Sequence, residues 1–168
     1  PHAEDRGDEV DGAEDGADDA ALAAHQRCAA DGGCGRLMHA DPRYGAEVLR
    51  RFRELPGAGD VTGNEGVIRA RADAADDGAR VVLSLSTERD VVVEARFRAY
   101  VCPYFIAAAS WLTERLRGAS RHEVAEWDWR EAAEALEIPP SRFGRLITLQ
   151  DASRAAAAAW PGATATAV

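Results

Sequence analysis

The chain has 168 residues, of which 46% are hydrophobic and 29% are charged, and its formal net charge is −9. This length suits one domain of about 100–150 residues with tails, and three cysteines are too few for a disulfide framework. No apolar run approaches the roughly 20 residues of a transmembrane helix, and no secretory signal is visible, so we expect a cytoplasmic protein without membrane partners.

The negative charge is concentrated at the N-terminus. Residues 1–37 contain ten acidic residues and three arginines, a net charge of −7. This composition predicts a disordered acidic extension, because too little apolar surface is present to offset the entropy lost on ordering. The single methionine, Met38, precedes the first segment with folding character, so the extension need not be native. The rest of the chain is nearly balanced in charge, which argues against nucleic acid as a partner.

The predicted domain spans residues 38–160 and begins with a helix. An apolar pattern of helical spacing between Tyr44 and Glu54 predicts this short helix, and Leu55-Pro56-Gly57 ends it. A glycine-rich loop follows through Glu65.

Three strands are predicted next, because apolar and polar residues alternate. The residues predicted to face the core are Ile68, Ala70 and Ala72 in the first strand, Val81, Leu83 and Leu85 in the second, and Val91, Val93, Ala95, Phe97, Ala99 and Val101 in the third. The links between the strands are short enough for hairpins, which predicts an antiparallel sheet.

From Pro103 to Arg117 the apolar period becomes helical. The apolar stripe of this helix comprises Phe105, Ala108, Ala109, Leu112 and Leu116. Ser120 with Glu123 resembles a capping box, and Asp128 with Glu131 is expected to cap a short helix that follows.

The paired prolines Pro139-Pro140 stop that short helix, and the last helix is predicted from about Ser141 to Ala159, with a frayed tail over residues 161–168. The fold class is therefore α+β: an N-terminal helix, a three-stranded antiparallel sheet and a block of helices packed on one sheet face.

Cys102 is the residue most suggestive of chemistry. It ends the third strand and immediately precedes Pro103, which suits the first turn of a helix. The positive end of the helix dipole favours the thiolate form, which is a metal or sulfur ligand. A buried, inert cysteine is the alternative interpretation.

The run Val93–Cys102 resembles the segment of IscU/NifU-type iron–sulfur scaffolds that leads into their second cluster cysteine. The resemblance continues through Ile106-Ala107, Ser110, Thr113-Glu114, Ala132–Glu137 and Pro139-Pro140 to Asp151-Ala152. It covers roughly residues 44–158, and its order agrees with the elements predicted above.

This resemblance implies an IscU-like fold and a role in iron–sulfur cluster assembly. Members of the family hold a [2Fe–2S] cluster on three cysteines and an aspartate or histidine, receive sulfur from a cysteine desulfurase and engage a chaperone. The expected partners are therefore a desulfurase and a chaperone. The function implied is that of a scaffold or carrier rather than an enzyme.

The ligand set departs from the family pattern. The turn that carries the first cysteine is Asp76-Asp77-Gly78-Ala79 here, and the histidine–cysteine pair that carries the third is Gly144-Arg145. Ala79, Gly144 and Arg145 are thus replaced ligand positions, which leaves Cys102 with weak oxygen ligands in Asp76 or Asp77. Arg145 would oppose a metal cation.

The cofactor therefore stays open between iron or a [2Fe–2S] cluster and none. Cys102 could instead carry a persulfide, and a homodimer would supply two such thiolates. The alternative function is a regulatory module that docks on assembly partners without a cluster.

Three other features have simpler interpretations. One segment resembles the chaperone-recognition stretch of the family, namely Ile138-Pro139-Pro140-Ser141-Arg142. Two adjacent prolines also serve simply as a helix stop. The residues of a potential zinc site are His25, Cys28, Cys34 and His39, but their spacing matches no standard zinc motif. Trp127, Trp129 and Trp160 are expected in the core, and His122 on a solvated helix.

Overall fold

The computed structural model describes residues 43–63, 66–74 and 78–161. The helices are α1 (Ala46–Glu54), α2 (Pro103–Leu116), α3 (Arg121–Glu126), α4 (Trp129–Ala135) and α5 (Phe143–Ala158), with a 3-10 turn at Pro140–Arg142. The strands are β1 (Val67–Ala74), β2 (Ala79–Glu88) and β3 (Val91–Tyr100). This order is the predicted α+β order.

The three strands form an antiparallel sheet in the order β1-β2-β3. In the pairing register Ala70 lies opposite Leu83, and Leu83 lies opposite Phe97. Helix α5 packs on β1 and β2, α2 packs on β3, and α1 packs on the outside of α2. The helices therefore cover one face of the sheet, as the sequence predicts, and the core lies between the two layers.

The core is built from predicted apolar positions of the three strands and α2. Leu83, Leu85, Phe97, Phe105 and Leu112 are all almost completely buried. Nine of the fourteen residues of α2 are buried, because this helix is enclosed between the sheet and α1. Burial of one such large side chain contributes about 1.5–3 kcal/mol.

The start of β3 differs from the prediction. Val91 and Val93 were expected to face the core, but they are 37% and 46% exposed, whereas Val92 is buried. The cause is a β-bulge: Glu94 pairs with Ser86 and Val92 pairs with Thr87, so Val93 is an extra residue without a cross-strand partner. Such an insertion reverses the faces of the residues before it.

Ser120 and Asp128 cap their helices as predicted, but Glu131, which was expected to take part in the second cap, contacts Arg115 instead. Ser120 accepts a hydrogen bond from the backbone N–H of Glu123, whose carboxylate accepts one from the N–H of Ser120, which completes a capping box. Asp128 caps α4 by accepting from the N–H of Arg130. The last helix begins at Phe143 rather than Ser141, because the residues after Pro139 first form the 3-10 turn.

The three tryptophans expected in the core are buried or half-buried. Trp127 and Trp160 are 3% and 4% exposed. Trp129 is half-buried and its ring lies 4.8 Å from that of Phe143. The indole Nε1 of Trp160 donates to Asp90 in the turn between β2 and β3, at 3.1 Å, so the end of α5 is fixed to that end of the sheet.

The outer edge of β3 contacts two loop segments. The N–H of Phe97 donates to the carbonyl of Gly57, and the N–H of Gly59 donates to the carbonyl of Phe97. Further along the strand, Val92 exchanges two backbone hydrogen bonds with residues 118–119. The loop after α1 and the loop after α2 are thus both joined to the sheet.

Some predictions lie outside the described residues. They are the acidic extension 1–37, Met38, the residues His25, Cys28, Cys34 and His39, the ligand candidates Asp76 and Asp77, and most of the tail. Within the described ranges, no helix combines the length and the apolar character that crossing a bilayer requires.

Candidate functional site

Cys102 lies where the sequence predicts it, between the last strand and the long central helix. It is the N-cap residue of α2, with extended backbone angles of φ −139° and ψ 158°, and Pro103 occupies the first turn. Its carbonyl accepts the N–H of Ile106 at 3.1 Å, while its side chain caps nothing. The residue is half-buried with a free thiol, and it packs against the edge of the hydrophobic core.

The residue before the thiol has an unusual backbone. Val101 has a φ of +149°, a value that β-branched residues rarely adopt. Holding a residue in such a region costs about 1–3 kcal/mol. The strain accompanies the abrupt change from strand to helix, and this change presents Cys102 at the edge of the fold.

Two tyrosines join the start of α1 to the start of α2, a contact that the sequence did not predict. The ring of Tyr44 lies 4.8 Å from that of Tyr104, two residues after Cys102. The hydroxyl of Tyr104 donates to the carbonyl of Arg43. The chain segment before α1 is therefore tied to the first turn of α2.

The replaced ligand positions gather at the same end of the sheet as Cys102. Arg80 pairs with Tyr100, so Ala79 starts its strand beside the end of β3. Helix α5 runs away from this end, because Trp160 beyond its C-terminus contacts the turn at Asp90. Gly144 and Arg145, in the first turn of α5, consequently lie toward the Cys102 end.

The donor set at this end does not fit a complete [2Fe–2S] cluster. Such clusters are usually held by four thiolates, whereas Ala79 and Gly144 carry no donor atom and Arg145 carries a positive charge. Among the described residues, no group of three or more His, Cys, Asp or Glu is arranged to hold a metal ion. Cys102 is thus the one thiol that the described residues place at this end of the sheet.

A buried arginine joins α1 to α2, a feature that sequence reasoning missed. The Arg51 side chain is 8% exposed and contacts Glu47 at 2.7 Å and Glu114 at 2.6 Å. It also donates to the hydroxyl of Ser110 at 3.3 Å, and that hydroxyl donates to the carbonyl of Pro56 at 2.9 Å. The i, i+4 spacing of Glu47 and Arg51 was the available signal, but their partners on α2 are distant in the sequence.

One carboxylate of this cluster, that of Glu47, is held ionised. The pKa of Glu47 is lowered to about 2, first by its hydrogen bonds from Arg50 and then by those from Arg51. The cluster fixes α1, and with it the segment that carries Tyr44, on the helix that begins at Cys102.

The paired prolines stand just before α5, a few residues ahead of Gly144 and Arg145. Ile138 is buried, Pro139 is half-buried, and Pro140, Ser141 and Arg142 are exposed. The backbone N–H of Arg142 donates to the carbonyl of Pro139 at 2.9 Å. Ile138 thus anchors the segment, and the following three residues are presented to solvent.

Two proteins of similar sequence are named as iron–sulfur cluster assembly proteins, and a third is named as a nitrogen fixation protein. The chain is 29% identical over 118 residues to the iron–sulfur cluster assembly scaffold protein IscU of Escherichia coli K12, which covers 68% of this chain and 91% of that protein. It is also 29% identical over 110 residues to the iron–sulfur cluster assembly protein IscU of Plasmodium falciparum, covering 65% and 68% of the two chains. The nitrogen fixation protein NifU of Azotobacter chroococcum is 27% identical over 120 residues, with 71% of this chain and 39% of that protein covered.

A solved structure has the same fold. It is an iron–sulfur cluster assembly scaffold protein of the SUF system, described as putative, from Fervidobacterium islandicum, with a TM-score of 0.53 and 12% identity over 66% of this chain and 93% of that chain. The family model of the NifU-like N-terminal domain matches residues 43–167. The chain therefore belongs to the NifU-like N-terminal domain family.

Proposed function

We propose that this protein is a scaffold-type component of iron–sulfur cluster assembly in which Cys102 carries sulfur as a persulfide. Family membership and the IscU relatives support the process. The single observation that supports the chemistry is the half-buried thiol of Cys102 at a strand-to-helix junction, with the other ligand positions replaced by Ala79, Gly144 and Arg145.

The transfer step uses only this thiol and a sulfur donor. The Cys102 thiolate attacks the outer sulfur of a persulfide on a cysteine desulfurase. The S–S bond of the donor breaks, its electron pair leaves with the donor thiolate, and a new S–S bond forms on Cys102. The exchange needs no external oxidant, because one S–S bond replaces another.

The remaining elements of a scaffold would come from other molecules. Iron or a [2Fe–2S] cluster would be cargo held jointly with a partner or with a second copy of the chain, because one thiolate holds iron loosely. The exposed segment Pro140–Arg142, anchored by Ile138 and Pro139, is proposed as the contact for a chaperone. We place the protein in the cytoplasm, where thiols stay reduced.

Sulfur transfer is tested by incubating the protein with a cysteine desulfurase and L-cysteine, then alkylating it and measuring peptide masses. We expect the added mass of one sulfur atom on the peptide that contains Cys102. The background carries Cys28→Ser and Cys34→Ser, so that the other two cysteines cannot accept sulfur. Cys102→Ser should abolish the modification.

Anaerobic addition of iron and sulfide provides the second measurement. We expect much less than one cluster per chain, and we expect any visible charge-transfer absorption to disappear in Cys102→Ser. A full cluster that still forms in Cys102→Ser would contradict the proposed role of Cys102. So would the absence of sulfur on the Cys102 peptide of the background protein after incubation with the desulfurase. Capture of the desulfurase without sulfur transfer would instead favour a regulatory docking module.

A further inference from the structure

The two edges of the sheet are not alike. The edge at β3 is covered by the loops after α1 and α2, which bond to Phe97 and Val92. At the other edge, the backbone of β1 bonds only to β2 within the described part of the chain. No proline or bulge interrupts β1, and its eight residues pair with β2 in one register. Proteins usually shield such edges, so the edge of β1 is a surface that can receive another strand.

The charges on either side of Ala72 make this edge complementary to itself. Arg71 and Asp73 are exposed on the face of the sheet opposite the helices, and Asp73 contacts Arg71 at 2.8 Å and Arg80 at 3.0 Å. If two copies of β1 pair antiparallel about Ala72, Arg71 of each copy lies opposite Asp73 of the other. Opposite charges placed directly across a sheet contribute about 0.2–1 kcal/mol per pair.

The other twofold registers of this strand are unfavourable. A pairing centred on Arg69, Arg71 or Asp73 places that residue opposite its own copy, so like charges meet. A pairing centred on Ala70 places Arg69 opposite Arg71. Registers that lie between these would put a core-facing residue opposite an exposed one, which the pleat of the sheet does not allow. Within Arg69–Asp73, Ala72 is therefore the one centre that brings only unlike charges together.

The helical layer leaves room for such a pairing. Helix α5 lies over β1 and β2, so two copies of α5 would be separated by two strand spacings, or about 9.6 Å. Helices in direct contact are about 8–10 Å apart. Ser153 and Ala157 bond to α3, and the opposite flank of α5 carries Gly144, Thr148 and Ala155. These small residues allow the two helices to lie side by side.

We infer that a second copy of this chain docks on the edge of β1, antiparallel about Ala72, and forms a dimer with one six-stranded sheet. The same surface is used on both copies, so the assembly closes after two chains, and the covered edges of β3 become the two ends of the sheet. The two Cys102 thiols lie about five strand spacings apart, or about 24 Å. In this dimer they act separately and do not share one cluster.

Disulfide cross-linking tests the register on the full chain, in a background that carries Cys28→Ser, Cys34→Ser and Cys102→Ser. The two Cα atoms at position 72 would be about 4.5–5.5 Å apart, which a disulfide can span, so Ala72→Cys should cross-link under mild oxidation. The two copies of position 74 would lie about 13 Å apart along the strands, so Ala74→Cys should not. Non-reducing gel electrophoresis measures the yield. The inference is overturned if Ala72→Cys stays monomeric or if both variants cross-link alike.

Sedimentation equilibrium under reducing conditions measures the dimer without a cross-link. Arg71→Glu places like charges opposite each other at both pairs and should weaken dimerisation at least about threefold. Arg117→Glu makes the same change of charge at an exposed position just after α2 and should leave dimerisation unchanged. A wild type that is monomeric at every concentration, or equal effects of the two variants, would contradict the inference. Cys102 takes no part in either experiment, so a negative result leaves the sulfur-transfer proposal untouched.

Discussion

A single glycine sets how closely the loop after α1 approaches the central helix. Gly57 has a φ of +82°, and a Cβ at this position would lie 2.4 Å from the hydroxyl oxygen of Thr113. Thr113 is buried and donates to the carbonyl of Ser110 at 2.8 Å. The loop therefore contacts α2 at a distance that only glycine permits.

We predict that Gly57→Ala destabilises the protein by about 2 kcal/mol more than Gly59→Ala. Gly59 also has a positive φ, of +110°, but a Cβ there meets nothing within 4 Å, so it controls for backbone strain alone. The measurement is urea unfolding of both variants. Adding Thr113→Ala should reduce the cost of Gly57→Ala, and equal costs for the two glycines would refute the close contact.

At the residue scale, Cys102 could be located from the sequence, because a strand pattern, a cysteine and a proline follow one another directly. The contacts between the α1 region and α2 could not be predicted. Tyr44 and Tyr104 are sixty residues apart, and Arg51 contacts Glu114 across a similar separation. No periodicity reports such pairs, because they depend on how α1 packs against α2.

Among the elements, β3 shows where the alternation of apolar and polar residues correctly predicts which side chains face the core and where it does not. Ala95, Phe97 and Ala99 face the core as their period of two predicts, but the bulge at Val93 reverses the pattern for the residues before it. The sequence shows only a run of three valines at this point, which fits either face. The position of the extra residue is set by pairing with β2.

We predict that Val92→Ala lowers the free energy of unfolding by about 2 kcal/mol, because a buried side chain is truncated. Val93→Ala, at a position that is 46% exposed, should change it by less than about 0.5 kcal/mol. Chemical denaturation of the two single variants makes the comparison. If Val93 proves the costlier position, the strand has no bulge and the alternation predicted from the sequence is correct.

On the scale of the whole molecule, the order of elements, the sheet topology and the covered sheet face followed from the sequence, because each hydrophobic pattern was long. The cluster of Glu47, Arg51 and Glu114, which joins α1 to α2, could not be predicted from the sequence.

This cluster makes the stability of the protein depend on pH, since the pKa of Glu47 falls from 4.5 to about 2 on folding.

The direction of this dependence follows from the lowered pKa. The contribution of Glu47 is fully present above about pH 4.5, where the carboxyl is ionised even when unfolded, and it is lost as the pH falls toward 2. We predict that wild type is more stable than Glu47→Gln at neutral pH and that the difference shrinks to nothing near pH 2. Because Glu47 is 43% exposed, the effect should be largest at low salt.

Thermal unfolding of both proteins from pH 7 to pH 2 measures this difference. If the difference in stability between wild type and Glu47→Gln stays constant from pH 7 to pH 2, Glu47 stabilises the fold by packing rather than by its charge. Arg50→Met in the same series should remove most of the pH-dependent part, because the hydrogen bonds from Arg50 are the largest cause of the lowered pKa of Glu47.

The two loop segments that pair with the edge of β3 have a consequence for the protein at high concentration. Their hydrogen bonds already use the backbone groups of Phe97 and Val92, so a strand from another molecule would have to displace both loops before it could extend the sheet there. Exposed strand edges are common starting points for aggregation. Crowded copies of this chain should therefore resist edge-to-edge polymerisation along β3 for as long as both loops stay in place.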